Sequence, residues 1–418
     1  MQTKQLITLL FLILARFGYS QVMTEITPPE YIKSIIFKTN GTDDQFPIIK
    51  IGEGMTLEFD DLSAREADYY YTIQHCNYNW QPSSLLKSQY LDGLDNQRIQ
   101  EYKNSVNTIQ PYSHYTLALP NNQTSFKVSG NYVLSILDAN DKIIFSRRFV
   151  VYKNLATVGA TVKRSRDLKN IQQKQVVQFT VNLKELNVPN PKEQINIFII
   201  QNYEWQTAIN HIKPQFISGT SLIYKYNDET MFNGGNEYLY FDGKDIRTVN
   251  NRIQKTQLID RYHQYLYEDF GRNDLTYTYA PDINGDFRIR TLNGDESESS
   301  FIADYADVHF TLKYNTYIGL HKVYVIGKFN NYQIAPEYQL QFNENDQTMK
   351  GHFLLKQGFY NYKYVLVDEN GKIDDTFFSG NHYETENNYT ILVYYRKFGD
   401  VYDSVIGLGN ASSVNISN

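Results

Sequence analysis

The stretch that decides the fold runs from Gly358 to Gly407 and reads GFYNYKYVLVDENGKIDDTFFSGNHYETENNYTILVYYRKFGDVYDSVIG. From Tyr360 to Val367, three tyrosines and a leucine alternate with Asn, Lys, Val and Val. This period of two is typical of a strand that presents two different faces. Asn370-Gly371 then offers the positive φ angles that a tight hairpin turn needs, and Ile391–Tyr395 resumes a strand. The stretch predicts pleated sheet and turns and contains no recognisable catalytic set.

Composition extends the β prediction to the whole chain. The 418 residues include 36 Tyr and 24 Phe but only 2 Trp, and aromatic residues favour strands. Single domains run to roughly 100–200 residues, so a chain of this length is expected to hold about two to four of them. The 40 basic and 46 acidic residues are well mixed and give a net charge of −6. No basic footprint indicates a nucleic-acid partner.

Alternating stretches separated by turn clusters divide the chain into three predicted units. For residues 22–153 the predicted strands are Ile32–Lys38, Met55–Phe59, Tyr69–His75, His114–Leu119, Asn131–Leu137 and Ile143–Tyr152. For residues 154–306 they are Val176–Leu183, Ile195–Gln201, Ser221–Tyr226, Glu237–Phe241 and Leu275–Ala280, with hairpin signals at Asn284-Gly285 and Asn293-Gly294. For residues 307–410 they are Asp307–Tyr314, Val323–Ile326, Gly351–Leu355 and Tyr360–Val367. Residues 247–270 show no clear period.

These units predict an all-β protein made of tandem β-sandwich domains of the immunoglobulin or early-set kind. No Pro/Ser-rich linker separates the units, so we expect them to pack as a semi-rigid rod. Residues 411–418 are small and polar, and they are predicted to form a flexible tail.

The N-terminus has the features of a secretory signal peptide spanning residues 1–20. Lys4 supplies the positive region, residues 6–14 are apolar apart from Thr8, and Gly18 and Ser20 precede a predicted cut before Gln21. A membrane anchor is the alternative, but a span needs ~20 apolar residues and this run is about half that. No later stretch is long and apolar enough to span a membrane. We therefore expect an exported, soluble mature protein.

Compact catalytic and metal-binding signatures are missing from the sequence. It contains no H-E-x-x-H, C-x-x-C, P-loop, G-x-S-x-G or G-x-G-x-x-G pattern, and its eight histidines are scattered singly. Cys76 is the only cysteine and is interpreted as a small buried hydrophobe, with a reactive thiol beside His75 as the alternative. No catalytic residue, metal site or cofactor is predicted.

Two short motifs resemble parts of known binding sites. Asp282, Asn284 and Asp286 mimic the start of a calcium loop, but Phe287 stands where the loop needs Gly, and a hairpin tip explains them better. The segment from Gly327 to Tyr332 resembles the opening of early-set glycan-binding modules. A soluble glycan binder that uses Phe329, Asn330 and Tyr332 is therefore an alternative function. The lack of any Trp in the third unit weakens it.

Long, chemically distinctive blocks carry a wider resemblance. They include YYYTIQHCNYNWQPSSLLKSQYLDGL from Tyr69, NIFIIQNYEWQTAI from Asn196, FNGGNEYLYFDGKDIR from Phe232 and the block that starts at Gly358. Together they resemble the type 9 secretion system plug protein family of Bacteroidota, formerly a domain of unknown function. The resemblance covers nearly the whole mature chain.

This resemblance implies a non-enzymatic periplasmic protein without cofactors. Its partner would be the secretion translocon, a very large outer-membrane β-barrel whose periplasmic opening the protein seals when the translocon is idle. Wide barrels enclose an aqueous channel, so an idle pore must be closed.

The resemblance assigns no partner-binding residues, so residue type alone indicates candidates. Interfaces favour aromatic anchors, and Tyr78, Asn79 and Trp80 lie where a predicted strand enters a loop. Burial of Trp80 in the first core is the competing interpretation. A hydrolase with a dispersed site among the acids from Asp282 to Glu298 is the remaining rival function.

Overall fold

The computed structural model describes residues 22–184, 186–314, 317–414 and 416. The predicted signal peptide lies outside the described residues. Strands dominate the described chain and helices are few and short, which confirms the all-β prediction.

The strands are β1 (Ile32–Thr39), β2 (Ile48–Lys50), β3 (Met55–Asp61), β4 (Tyr70–Cys76), β5 (Leu91–Gly93), β6 (Gln97–Arg98), β7 (Glu101–Asn104), β8 (Ser113–Leu119), β9 (Thr124–Phe126), β10 (Gly130–Leu137), β11 (Ile143–Tyr152), β12 (Thr157–Arg164), β13 (Lys174–Asn182), β14 (Ile195–Gln201), β15 (Ile209–Asn210), β16 (Phe216–Ser218), β17 (Ser221–Tyr224), β18 (Met231–Asn233), β19 (Leu239–Asp242), β20 (Ile253–Leu258), β21 (Tyr262–Leu266), β22 (Asp269–Phe270), β23 (Phe287–Ile289), β24 (Tyr305–Lys313), β25 (Lys322–Ile326), β26 (Gln339–Asn343), β27 (Thr348–Lys356), β28 (Gly358–Val367), β29 (Ile373–Asp374), β30 (Asn388–Tyr395) and β31 (Ser404–Ser412). The α-helices are α1 (Lys87–Tyr90), α2 (Pro191–Gln194) and α3 (Glu296–Ile302). Short 3-10 helices span Trp205–Thr207, Lys328–Asn330 and Pro336–Tyr338.

Residues 32–152 form two larger sheets and the two-stranded sheet β5-β9 around one hydrophobic core. One sheet has the order β1-β3-β8-β7 and the other the order β2-β11-β10-β4-β6. All eight residues of β10 are buried, because both of its faces are covered. Tyr132 and Leu134 belong to the core between the two sheets, whereas Val133 belongs to a second cluster on the opposite face.

The next core is shared by distant parts of the chain. One sheet has the order β12-β13-β17-β16 with β18 beside β13, and the other has the order β15-β14-β30-β31. In the second sheet, β14 pairs antiparallel with β30, so Ile195 lies opposite Tyr395. The two C-terminal strands are therefore partners of the central part of the chain.

The remaining strands form an eleven-stranded sheet that encloses a third core. Its main path is β19-β28-β25-β26-β27-β24-β21-β20, and β22, β23 and β29 pair beside it. The tyrosines at 360, 362 and 364 lie on one face of β28, as their alternation predicted, and all three are buried there. The hydroxyls of Tyr362 and Tyr364 both donate to the Asp269 carboxylate, at 2.7 and 2.8 Å.

Strand pairing crosses the boundary that was predicted at residues 306 and 307. The strands from β19 to β23 precede it, yet β19 and β23 pair with β28, and β21 and β22 pair with β24. The predicted tail at 411–418 also begins inside β31, and Ser413 is buried, with its hydroxyl donating to the Thr385 carbonyl at 2.7 Å. The division into three sequential domains stays a prediction.

Most predicted strands agree with observed ones to within a few residues. The exceptions are one predicted strand and two predicted hairpin turns. Residues 275–280 form no strand, and Asn293-Gly294 precedes helix α3 instead of lying in a hairpin. Asn284 and Gly285 do form a turn with φ angles of 52° and 85°, but residues 271–286 contain no strand, so the turn does not join a hairpin. Asn370-Gly371 lies between the paired strands β28 and β29, as predicted.

Candidate partner-binding surface

The loop that carries Tyr78, Asn79 and Trp80 is a tight turn at the end of β4. The Trp80 amide donates to the Asn77 carbonyl at 2.9 Å, and the Asn77 amide donates to the Gln81 carbonyl at 2.8 Å. The Asn79 side chain is used locally, because its amide and carbonyl both bond to Gln81. Trp80 itself has a φ of 62°, so the turn rotates its side chain inward. The loop is therefore held by its own hydrogen bonds.

Trp80 is buried between two units of the structure. Its side chain is 4% exposed and meets Trp205 edge-to-face at 4.8 Å, and the Arg148 guanidinium lies 4.4 Å from its ring. It belongs to a cluster, here called the seam cluster, that joins β4, β10 and β11 to β14, β30 and β31. Its buried members are Phe46, Cys76, Trp80, Val133, Val150, Phe198, Ile200, Leu392, Tyr394 and Val405. Trp80 thus packs in this seam, and neither in the first core nor at the surface.

Tyr78 is half-buried at the edge of the same seam. Its ring meets Phe198 edge-on at 6.3 Å, and its backbone amide donates to the Asp403 carboxylate at 3.0 Å. Asp403 is buried and also receives both guanidinium bonds of Arg396, at 2.9 and 2.8 Å. The predicted loop is thereby fixed to the connection between β30 and β31.

That connection, residues 396–403, is called here the Phe398 hairpin. Its Phe398 has the largest exposed fraction of any aromatic side chain among the described residues. The Asp400 amide donates to the Lys397 carbonyl at 3.0 Å, and Gly399 has a φ of 87° in the turn. Phe398 is 95% exposed, and Val401 is exposed beside it. The bidentate Arg396–Asp403 pair holds the base of the hairpin, so an apolar tip projects from a fixed support.

Sequence reasoning missed Phe398 although it found the neighbouring loop. The available signal was a single Phe next to Gly-Asp in a turn between two apolar strands. An exposed aromatic of this kind is a common anchor of protein interfaces. The candidate surface therefore consists of the Phe398 hairpin and the adjoining edge of the Tyr78 loop.

The alternative glycan-binding residues are built into the interior. Tyr332 is 4% exposed, and the Asn330 side chain accepts from the Gly327 amide at 3.1 Å and donates to the Val325 carbonyl at 3.0 Å. Phe329 is half-buried and packs edge-on against Tyr338 and Tyr360. A sugar ring stacks on an exposed aromatic face. These three residues instead form and fill the turn, so they give a sugar ring no surface on which to stack.

Cys76 lies in the seam cluster and has no exposed surface, and burial raises the pKa of its thiol to about 12. A thiol that stays protonated is a poor nucleophile, so the buried interpretation holds for this residue. Neighbouring His75 is also buried, and burial lowers its pKa to about 4. In the described residues, no group of three or more His, Cys, Asp or Glu side chains is arranged to hold a metal ion.

Asp282, the first residue of the calcium-like motif, is a structural acceptor. Its carboxylate accepts from the backbone amides of Tyr238 and Asn284. Burial raises its pKa to about 7, and the nearby Glu237 and Glu386 carboxylates add to the effect, although the two amide bonds oppose it. The folded protein therefore holds a proton here that an unfolded chain releases near pH 4.

The sign of the resulting pH dependence follows from this raised pKa. Between about pH 4 and about pH 7 the folded state binds more protons at Asp282 than the unfolded state, so this group's contribution to the unfolding free energy falls as pH rises. We expect Asp282→Asn to gain stability relative to the native protein over that interval. Urea unfolding of both proteins at pH 4.5, 6 and 7.5 measures the difference. A difference that stays constant would contradict the assignment.

Comparison with known proteins identifies the family of the chain. Residues 32–153 match the family model described as type 9 secretion system plug protein, first domain. A crystal structure of a hypothetical protein from Parabacteroides merdae is 30% identical, with a TM-score of 0.89, and the match covers 94% of this chain and 100% of that one. The chain belongs to the type 9 secretion system plug protein family. The comparison with curated proteins finds no match.

Membership limits the classes of function that need consideration. The plug family is associated with secretion and is not a known enzyme family. Its name also indicates association with the type 9 secretion system and a periplasmic location. Among the described residues, no helix has the length and apolar character needed to cross a membrane.

Proposed function

We propose that this protein is a non-catalytic periplasmic plug that binds the idle type 9 outer-membrane translocon barrel and seals its periplasmic opening. In this proposal a cleaved signal peptide directs the chain across the inner membrane, and the barrel holds it at the outer membrane. Tandem β-sandwich units pack as a semi-rigid rod. Membership of the plug family is the observation that carries the proposal.

Buried contacts between the units support a sealing role, because a protein that closes a wide pore must keep its units in a fixed arrangement. In the seam cluster, the buried Trp80 packs against the half-buried Trp205 between the first and central units. Between the first unit and the large sheet, the Lys356 ammonium and the Asp60 carboxylate are 2.6 Å apart and almost completely buried. Buried, satisfied polar contacts of this kind favour one arrangement of the units over others.

A mild-detergent pull-down of the tagged native protein from cell envelopes, with mass spectrometry of its partners, tests the proposal. We expect one very large outer-membrane barrel to be recovered. In parallel, cells that lack the protein are expected to admit a large hydrophilic antibiotic that intact outer membranes exclude. Recovery of the protein without any barrel, together with unchanged permeability, would sink the plug function.

The Phe398 hairpin is the contact that we expect to anchor the plug. Replacing Phe398 with alanine removes an exposed ring and leaves the internal packing intact, so only binding should change. Loss of an aromatic anchor weakens binding by about 2 kcal/mol or more, which corresponds to at least tenfold less recovered barrel. Quantitative mass spectrometry of the pull-down measures this ratio.

Phe342 supplies the matched control, because it is an exposed phenylalanine on β26 of the large sheet. Phe342→Ala is expected to retain the barrel at close to the native level. If both variants recover the barrel equally well, the Phe398 hairpin is not the anchor, whereas the plug function itself remains supported by the native result.

A further inference from the structure

A small cavity lies where the first unit, the central unit and the unit of the large sheet meet. Its volume is about 20 Å³, which is room for one particle of about the size of a water molecule. Arg147 and Arg148 of β11 line it from the first unit, Trp205 from the central unit and Lys328 from the unit of the large sheet. Glu25 lines it as well. The lining therefore contains three cationic side chains and one carboxylate.

The half-buried Lys328 ammonium has no acceptor at this cavity. Among the described residues, no atom accepts a hydrogen bond from it and no carboxylate forms an ion pair with it. Its nitrogen lies 5.6 Å from the centre of the Phe46 ring. Burial lowers the pKa of Lys328 and the nearby Arg147 charge adds to the effect, whereas Glu25 and Asp286 oppose it. A cation withdrawn from water without a direct counter-charge is costly.

Two other lysines of the same unit show how this fold compensates such a charge. The Lys356 ammonium lies 2.6 Å from Asp60, and the Lys363 ammonium lies 3.6 Å from Glu204 and 3.2 Å from Asp375. Burial acts to lower the pKa of Lys363, but its two carboxylates outweigh burial and raise the pKa. The ammonium at the cavity has no such protein partner in the described part of the chain.

The acids nearest to the cavity already bind other groups. The Glu25 carboxylate accepts from the Arg148 amide at 2.7 Å and from the Asn331 side chain at 2.6 Å. The Asp286 carboxylate lies 2.8 Å from the Arg288 guanidinium. Glu25 balances one of the three positive charges of the lining, so two of them stay unbalanced.

Both arginines at the cavity leave donors over. Arg148 donates from Nη2 to the Met23 carbonyl at 2.6 Å, but its buried Nε has no acceptor among the described residues. Arg147 donates from Nη1 to the Ser146 carbonyl at 2.8 Å. Guanidinium and ammonium groups are donors only. The lining also contains an unpartnered acceptor, Gln45 Oε1, but a neutral amide oxygen offsets no charge. Donors with unbalanced charge favour an anion over a water molecule.

We propose that this cavity binds a single monatomic anion such as chloride, held between Arg147 and Lys328. The cavity has room for one water-sized particle, so a polyatomic anion such as phosphate does not fit. Arg147 and Lys328 belong to different units, and their like charges repel each other. An anion between them replaces this repulsion with two attractions. The bound ion thereby joins the first unit to the unit of the large sheet.

The dependence of thermal stability on chloride tests the site. Melting temperatures are measured in sodium chloride and in sodium gluconate at the same ionic strength, so screening of surface charges is equal. Lys328→Met keeps the length of the side chain and removes its charge. An ion that binds only the folded state raises the melting temperature. We expect the gain in chloride over gluconate to be about 2 °C or more larger for the native protein than for this variant.

An exposed lysine supplies the matched control. The Lys350 side chain is 42% exposed, so Lys350→Met removes the same charge from the surface. This variant is expected to keep the native gain in chloride. If the gains of the native protein and Lys328→Met are equal, the anion site is overturned.

Crystals of the native protein grown with sodium bromide give a second readout that needs no variant, because bromide scatters X-rays anomalously. We expect an anomalous peak in contact with both Lys328 Nζ and the Arg147 guanidinium. The absence of a peak at this position overturns the site. A peak that accompanies equal gains in chloride would show an adventitious ion only, which also overturns the proposal.

Discussion

Replacing Asp60 with alanine is expected to lower the unfolding free energy by about 3–5 kcal/mol, the usual result of leaving one partner of a buried ion pair alone. Asp60 and Lys356 are 0% and 1% exposed in their side chains. The same carboxylate accepts from the Tyr305 hydroxyl at 2.6 Å and lies 2.7 Å from the His114 ring nitrogen. Without it, the Lys356 ammonium keeps only the Ser300 carbonyl as a hydrogen-bond acceptor in its described contacts.

The pH dependence of this joint follows from the carboxylate. Burial alone raises the pKa of Asp60, but Lys356 and His114 outweigh it and hold the pKa below its usual value. A lowered carboxyl pKa stabilises the fold above about pH 4, and that contribution is lost as pH falls through the folded-state pKa. The Asp60→Ala variant should lack this acid-dependent loss.

Guanidinium chloride unfolding at neutral pH measures the destabilisation, and an exposed pair provides the control. Lys350 and Asp346 are each 42% exposed in their side chains, so Lys350→Ala should change stability by less than about 1 kcal/mol. The double replacement Asp60→Leu with Lys356→Met should recover most of the loss, since it removes both charges. A loss at Asp60 no larger than the loss at Lys350 would show that the buried pair does not hold the units together.

Replacing Trp80 with alanine is expected to destabilise the protein by about 3–5 kcal/mol, the usual effect of removing a large aromatic from a packed interior. The reason is its position in the seam cluster, where it meets Trp205 across the junction of two units and Arg148 of its own unit. The variant should unfold at lower denaturant concentration. If the units separate before they unfold, two transitions should replace one.

Phe398→Ala is the natural counterpart, because Phe398 is also an aromatic residue but is 95% exposed. Its stability should stay within about 0.5 kcal/mol of the native value, while its barrel recovery falls. Equal stability of the two variants would contradict the burial of Trp80. The pair therefore separates residues that hold the plug together from residues that hold it to its partner.

The Phe398 hairpin, which we propose as the contact with the barrel, is supported by buried structure directly behind it. The Arg396 guanidinium makes two bonds to the buried Asp403 carboxylate at the base of the hairpin. Supported contact sites lose less conformational entropy on binding than mobile loops do.

The sequence by itself determined the strand content, most strand positions and the family. Period-two alternation placed β28 and predicted that its tyrosines share one face, because side chains of a strand alternate between faces whatever the strand packs against. Long blocks of unusual residues carried the family resemblance, which the comparisons confirmed. Of the three Asn-Gly hairpin signals, only Asn370-Gly371 lies between paired strands, because the other two turns have no partner strand on one side.

Only the tertiary structure showed which residues pack against each face of a strand. Alternation shows that Trp80 and Tyr332 sit beside apolar strands, but not that the first fills a seam and the second an internal turn. It also could not assign β30 and β31 to a sheet with β14, whose residues lie almost two hundred positions earlier. Local pattern fixes which residues share a face, whereas sheet partners and exposed edges such as β16 depend on contacts between distant parts of the chain.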